Sequence, residues 1–276
     1  MSSATPGPAP IAFANETLKG WAFHTQEYIG LLGRTLRACV SRPFYFRDLT
    51  IQMDVIGVGS IMIVLLTGLF TGMVLALQSA VEMEQFGAEI YIGRLVGASV
   101  VRELGPVLTA LMVTGRAGSG MAAAIGAMVV TEQVDALYTI GVDPVRKLVV
   151  PRFLAGLIML PILTMITDVV AVFGGLIIAL FKIGLTFDLY MRSVYLTLAE
   201  TGFILRYIPI DLISGLLKPI WFGAIMALTG SYYGLSTTGG TEGVGRATTR
   251  AVVTASVLIL AFDYFLTQIL IVLLIE

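Results

Sequence analysis

Charge is scarce in this sequence. Its 276 residues include 17 Lys and Arg and 18 Asp and Glu, 13% in all, about half of the roughly 25% found in soluble domains. So few charges cannot clothe a water-facing surface. The single cysteine, Cys39, excludes an intramolecular disulfide and a cysteine-built metal site. The single histidine, His24, lies near the N-terminus and excludes a histidine dyad or cluster within the apolar segments, and with it most familiar hydrolase chemistry. A net charge of −1 provides no concentrated basic face for nucleic acid. Apolar residues are abundant: 57% of the chain is hydrophobic and the mean hydropathy is +0.92. Its uncharged runs approach the roughly 20 residues that cross a bilayer. The chain therefore reads as an all-α integral membrane protein with several spans.

Residues 1–14 are rich in Ser, Pro and Ala, lack charge, and read as a disordered tail rather than a cleaved signal. Over residues 15–47, Leu18, Trp21, Ala22, Ile29, Leu32, Leu36 and Cys39 recur at helical spacing, while Glu16, Lys19, Gln26, Arg34 and Arg37 fall elsewhere on the wheel. The stretch ends in aromatics flanked by Arg42 and Arg47, which suits an amphipathic helix lying in the membrane interface. Five spans are expected at about residues 55–77, 95–125, 153–181, 207–235 and 251–275. The first has 23 uncharged residues and carries Gly68 and Gly72 in a small-xxx-small pattern. Charges interrupt the second at Arg102-Glu103 and Arg116. With the N-terminus placed inside, the inner segments hold eleven basic residues (Lys19, Arg34, Arg37, Arg42, Arg47, Arg116, Arg146, Lys147, Arg152, Arg246, Arg250). The outer ones hold four (Arg94, Lys182, Arg192, Arg206). That asymmetry predicts a cytoplasmic N-terminus and an external C-terminus.

Two tempting motifs fail. Gly240-Thr-Glu-Gly-Val-Gly245 has phosphate-loop spacing, but Arg246-Ala247 follows where Lys and Ser or Thr are required, so no ATP site is expected in this chain. Ser119, between glycines, has no histidine to activate it. The segment Thr131–Arg152 is more informative. A short helix over about 131–140 can be ended by Gly141, and Asp143-Pro144 can begin a further turn. Composition alone leaves open whether this is a cytoplasmic lever or a passive connector. Finally, Arg102, Glu103, Asp168, Asp211, Lys218 and Asp263 fall at membrane depth. Each would cost at least roughly 2.5–3.5 kcal/mol facing lipid at mid-depth. They serve either as ion pairs that orient helices or as a polar patch inside an apolar cavity, suited to an amphiphile with a charged head.

Six blocks then carry a resemblance: Val101-Arg-Glu-Leu-Gly-Pro-Val107, Gly115-Arg-Ala-Gly-Ser119, Thr131-Glu-Gln133, Val142-Asp-Pro-Val-Arg146, Pro151-Arg-Phe153 and Gly245-Arg-Ala-Thr-Thr-Arg-Ala-Val-Val253. In this order they resemble the signature blocks of the MlaE/YrbE permease family, over about residues 15–275. The resemblance implies a non-catalytic membrane subunit of an ABC transporter moving phospholipid between the inner membrane and the outer envelope, maintaining outer-membrane lipid asymmetry. It further implies a homodimer bound to a separate ABC ATPase that holds ATP and Mg, to a periplasmic ring of MCE-domain subunits, and often to a small STAS-domain subunit. Location in the inner membrane with a periplasmic C-terminus follows. Phospholipid would bind in a cavity at the dimer interface. On the family pattern that cavity takes Arg102, Glu103, Asp211, Lys218 and Asp263; apolar walls for the acyl chains are expected from the first span and the loop after it, with Leu75 and Phe86 as the specific choices. Thr131, Glu132, Gln133, Val134, Asp135, Ala136 and Leu137 would form the helix that couples to the ATPase. The chain itself is expected to bind no cofactor or metal. The alternative class, a self-contained membrane enzyme or channel, is disfavoured by the missing catalytic constellation and the irregular polar lining of the spans.

Overall fold

The computed structural model describes residues 10–41, 44–200, 203–204 and 208–274; the side chains of 10–21, 200, 203–204, 208–213 and 273–274 are not described. Helix α1 (Pro10–Val40) begins inside the expected tail. Proline, with its fixed φ and missing N–H, suits a first helical turn; residues 1–9 of the tail lie outside the described residues. The helix stops at Val40, short of the expected 47, because Pro43 disfavours helical geometry at the residue before it. A second helix, α2 (Phe46–Ile56), follows, then a tight turn at Val58–Ser60 and α3 (Ile61–Glu84). The expected single interfacial helix is thus two helices, the second continuous with the first long apolar stretch. One face of α1 packs on the protein: Leu31, Thr35 and Ala38 are buried, Tyr28 Oη meets Thr229 Oγ1 at 3.0 Å, and His24 Nδ1 meets Tyr232 Oη at 2.9 Å. Phe23, Ile29, Leu36 and Val40 remain exposed on the other.

The charges in the second expected span do not break it. Helices α4 (Ile92–Ser99), α5 (Gly105–Val113) and α6 (Ser119–Val130) run on through single π-turns at Val100–Leu104 and Thr114–Gly118. At 1.5 Å per residue the whole rod is roughly 58 Å long. The first π-turn has a local cause. Pro106 has no N–H, so an ordinary helix would leave the carbonyl of Arg102, four residues earlier, without its donor; instead the Gly105 N–H closes a wider turn on Val100 O. At the second, Arg116 donates from Nη1 to Val55 O (2.9 Å) and Ser60 Oγ (3.0 Å), tying the rod to the start of α3.

Helix α7 (Gln133–Thr139) falls within the segment expected at 131–140. Its entry is bent by Glu132 at φ 59°. Its exit uses Gly141 at φ 75°, which lets the Val142 N–H reach Leu137 O at 2.9 Å. Asp143 Oδ1 then accepts the Val145 N–H, opening the next helical segment. A π-turn at Val145–Val149 leads into α8 (Val150–Ile178), followed by α9 (Phe187–Glu200), a two-residue antiparallel pair β1 (Phe203–Ile204) with β2 (Ile208–Pro209), α10 (Ile210–Leu235) and α11 (Gly240–Leu274).

Small residues set how closely these helices approach. On α3, Gly68 and Gly72 lie against the backbone of Thr167 and Ala171 of α8. Between α8 and α10, Gly156 faces Gly223, and Gly230 and Gly234 bring α10 onto α6. Helix α10 therefore sits among α6, α8 and α11. The outer faces carry apolar stripes at helical spacing: Met62, Leu66, Phe70 and Val74 on α3; Ile158, Ile162, Met165, Val169, Phe173 and Ile177 on α8; Val253, Val257 and Leu260 on α11. In water such stripes would be costly; in hydrocarbon they are the expected surface. Among the described residues, four stretches are long and apolar enough to cross a membrane: Phe46–Glu84, Glu89–Val130, Val145–Ile183 and Gly240–Val272. Helix α10, expected as a further span, is not one of them. The side chains of its first turn, residues 210–213, lie outside the described residues; Lys218, Thr229 and Ser231 are buried against neighbouring helices, while Leu217, Ile220 and Trp221 are exposed.

The α3–α8 contact predicts opposite outcomes for two glycine substitutions. In Gly72→Ala the new methyl meets the carbonyl of Ala171, backbone that cannot swing aside, and the purified full chain should lose about 1–3 kcal/mol of stability. Gly115 is helical with nothing within 4 Å, so Gly115→Ala should leave the unfolding temperature unchanged or raise it. Thermal unfolding in detergent checks both; equal effects would contradict the packing described.

Candidate functional site

The freed carbonyl of Arg102 organises the site. Lys218, on α10, reaches it with Nζ at 2.9 Å, and the same ammonium donates to Glu103 Oε2 (2.6 Å) and to Thr267 Oγ1 (2.8 Å). An ammonium has three N–H donors, and all three are engaged. Asp263 Oδ1 adds a second carboxylate at ion-pair distance, 3.2 Å, outside hydrogen-bond alignment. Thr267 also donates towards Glu103 Oε1 at 3.3 Å. Three elements converge here: the π-turn supplies Arg102 and Glu103, α10 supplies Lys218, and one face of α11 supplies Asp263 and Thr267, four residues apart. Arg102 joins this group through its backbone carbonyl, and its side chain lines a neighbouring cleft.

Lys218 is 2% exposed, Glu103 41% and Asp263 19%. The lysine is therefore the inner member, and Glu103 meets the surroundings. The donors of Lys218 are engaged by protein acceptors and its surface is covered. Its role is to hold the turn that presents Arg102 and Glu103. Asp211 lies in the first turn of α10, but its side chain is outside the described residues. Thr267 was missed by sequence reasoning; its position one turn beyond Asp263 was the only available signal. Asp168 on α8 is buried, with Oδ1 packed against Gly105 just beyond the π-turn. A side chain at 105 would strike it.

Two open clefts flank this region. One, of about 330 Å³, is lined by Phe70, Thr71, Val74, Leu75 and Gln78 of α3 with Leu104 of the π-turn. Leu75 is thus brought beside the residue that follows Glu103. Phe86 is not among its lining residues; it is 76% exposed in the turn after α3. A second cleft, of about 360 Å³, involves Arg94 and Arg102. At the other end of the rod, α7 anchors itself through buried Val134, while Thr131, Glu132, Gln133, Asp135 and Ala136 are exposed and Leu137 is half-buried. Lys147 pairs with Asp48 and lies 4.2 Å from the Tyr45 ring centre, joining the segment after α7 to the start of α2.

Apolar outer stripes around a buried ionic cluster define a helical membrane protein. The chain belongs to the MlaE permease family: residues 49–269 match the family described as Permease MlaE. It is 38% identical over 226 residues to the intermembrane phospholipid transport system permease protein MlaE of Haemophilus influenzae, covering 82% of this chain and 84% of that one. It is 42% identical over 233 residues to a probable ABC transporter permease protein of Rickettsia bellii, covering 84% and 86%. A probable ABC transporter permease protein of Synechocystis is 43% identical over 216 residues, covering 78% and 79%.

Removing the ammonium should cost more than removing either partner. Lys218→Met leaves Glu103 and Asp263 facing each other without a cation, and about 3 kcal/mol of stability should be lost. Glu103→Gln should cost less, since the exposed part of Glu103 is already in contact with its surroundings. The double mutant should fall short of the sum of the two. Unfolding of all three variants measures this; simple additivity would show that the two side chains do not interact.

Proposed function

We propose that this chain is the membrane subunit of an ATP-driven transporter that moves phospholipid between an inner membrane and an outer envelope, maintaining outer-membrane lipid asymmetry. The observation that carries the reading is the buried Lys218 ammonium with its carboxylates Glu103 and Asp263 at the Arg102 π-turn, whose Leu104 lines the apolar cleft at Leu75. An amphiphile needs both parts, a polar anchor for its phosphate and an apolar wall for its acyl chains. The phospholipid transport named for the Haemophilus relative supports the same chemistry. In this reading Arg102 meets the phosphate, Glu103, Lys218 and Asp263 fix the turn that presents it, Asp211 belongs to the same polar group, and Leu75 and Phe86 line the path of the chains. Two copies face each other across the exposed stripe of α3, so that the cleft is closed by the partner copy.

Five spans cross the inner membrane, α10 being the fourth, with α1 in the cytoplasmic interface and the C-terminus periplasmic. ATP and Mg belong to a separate ABC ATPase that docks on Thr131–Leu137 around α7. A periplasmic MCE-domain ring and a STAS-domain subunit complete the assembly. No nucleic acid is involved.

Arg102→Ala separates ligand contact from scaffolding, because the backbone carbonyl held by Lys218 survives the substitution. Phospholipid retained per intact complex should fall about tenfold, with the unfolding temperature unchanged. Wild-type retention, or loss only in step with unfolding, would return the cluster to a purely structural role. Replacing Glu132 and Asp135 together should weaken ATPase association, or uncouple hydrolysis from transport, in a folded chain. Normal assembly and transport would rule out α7 as the docking element.

A further inference from the structure

The exposed stripe of α3 runs through Met62, Leu66, Phe70 and Val74 at four-residue intervals, and the next residue in that row is Gln78. Phe70, Val74 and Gln78 all line the cleft at Leu75. An amide thus ends an otherwise apolar row. Gln78 is exposed, and among the described residues its side chain makes no hydrogen bond. Removing an amide from water without giving it a partner is costly, so whatever fills the cleft has to bring an acceptor. Helical side chains lean towards the N-terminus of their helix, over the preceding turn. Gln78 therefore leans over the turn that holds Val74 and Leu75, at the edge of the apolar wall. Thr71, half-buried, is the other polar side chain in the lining, seven residues and roughly 10 Å of rise away. A helical threonine can return its hydroxyl to the carbonyl four residues back, as Thr164, Thr167 and Thr197 do. Gln78 has no such local outlet.

We propose that Gln78 is a specificity-determining residue that donates its amide N–H to an acyl ester carbonyl, so that the cleft selects ester-linked over ether-linked phospholipids. The proposal rests on the lipid reading above and deepens it. In a glycerophospholipid the ester carbonyls stand where the polar head gives way to the chains. They accept hydrogen bonds and carry no charge, which suits a neutral donor at the edge of an apolar wall. An ether-linked analogue keeps the phosphate, the glycerol and the chains but has a methylene in place of each carbonyl. Bound in the same way, it leaves the amide unpaired, and a neutral hydrogen bond of this kind changes affinity about five- to tenfold.

The test uses the purified full-length chain, incubated with vesicles of equal diacyl and dialkyl phosphatidylethanolamine of matched chain length and then stripped of loosely held lipid. Native mass spectrometry counts the retained lipids and the copies of the chain in each particle. Wild type should retain the diacyl form about five- to tenfold over the dialkyl form. Gln78→Met, close in length but without the amide, should hold the two forms equally, with its unfolding temperature and its number of copies unchanged. Thr71→Val should keep the wild-type preference. The assignment is overturned if wild type shows no preference, if Gln78→Met keeps it, or if Thr71→Val erases it. It is also overturned if Gln78→Met loses lipid and its partner copy together, which would make the amide a contact between copies. The lipid reading survives each of those results provided that phospholipid is still retained and is lost in Arg102→Ala. If wild type retains neither form, both readings fall.

Discussion

An ammonium buried among apolar helices must find an acceptor for each of its hydrogens, and the region around it follows from how Lys218 does so. Water is not at hand to make up a deficit, and an unsatisfied donor in such surroundings costs several kcal/mol. Two of the acceptors are side chains, from Glu103 and Thr267; the third is the backbone carbonyl of Arg102. That carbonyl is available because Pro106 has no N–H to return to it. A proline, a π-turn and a lysine on another helix thus form one unit, none of whose parts is well satisfied without the others. Asp263 adds a second carboxylate at ion-pair distance from the same ammonium.

Close packing makes this unit possible. Lys218 can reach the π-turn only if α10 lies against the rod, and Gly215, three residues before it in the same helix, packs on the carbonyl of Val101. Gly105 admits the carboxylate of Asp168 in the same way. In a membrane the hydrophobic effect does little to press helices together, so association relies on such close approach and on polar contacts between helices. The glycines and the charge cluster are in this sense one solution to a single problem.

Much of this was legible in the sequence, for reasons that differ from residue to residue. The cost of charge at membrane depth was enough to single out Arg102, Glu103, Lys218 and Asp263; the side chains of the last three come together, and Arg102 joins them through its carbonyl. The helix at α7 was visible because Gly141 and Asp143 are stop and start signals with local causes. The role of Lys218 was not visible, because a one-dimensional pattern does not tell whether a cation faces a ligand or three protein acceptors. The continuity of the second long helix was also hidden. Arg102-Glu103 and Arg116 look like interruptions until π-turns are allowed for, and a π-turn leaves almost no trace beyond a nearby proline. The break after Val40 could have been read from Pro43. Thr267 offered only its spacing from Asp263, which many threonines share by chance.

The rod from α4 to α6 joins the two ends at which the proposed activity takes place. Arg102 and Glu103 sit near one end and α7 follows directly from the other, so a displacement at α7 is delivered to the cluster along covalently continuous helix. A rigid helix alone would only translate. Its two π-turns are the places where the backbone ladder is already rearranged, and such turns recur at functional sites. The one at Thr114–Gly118 is tied by Arg116 to Val55 and Ser60, where α2 gives way to α3, and the one at Val100–Leu104 is tied by Lys218 to α10. Motion of the rod therefore has to shift α3 and α10 with it, the first carrying the apolar wall at Leu75 and the second the cation that holds Arg102 in place. In the function proposed above, a lever connected in this way would change the wall and the polar anchor of the cleft together, as alternate binding and release of an amphiphile requires.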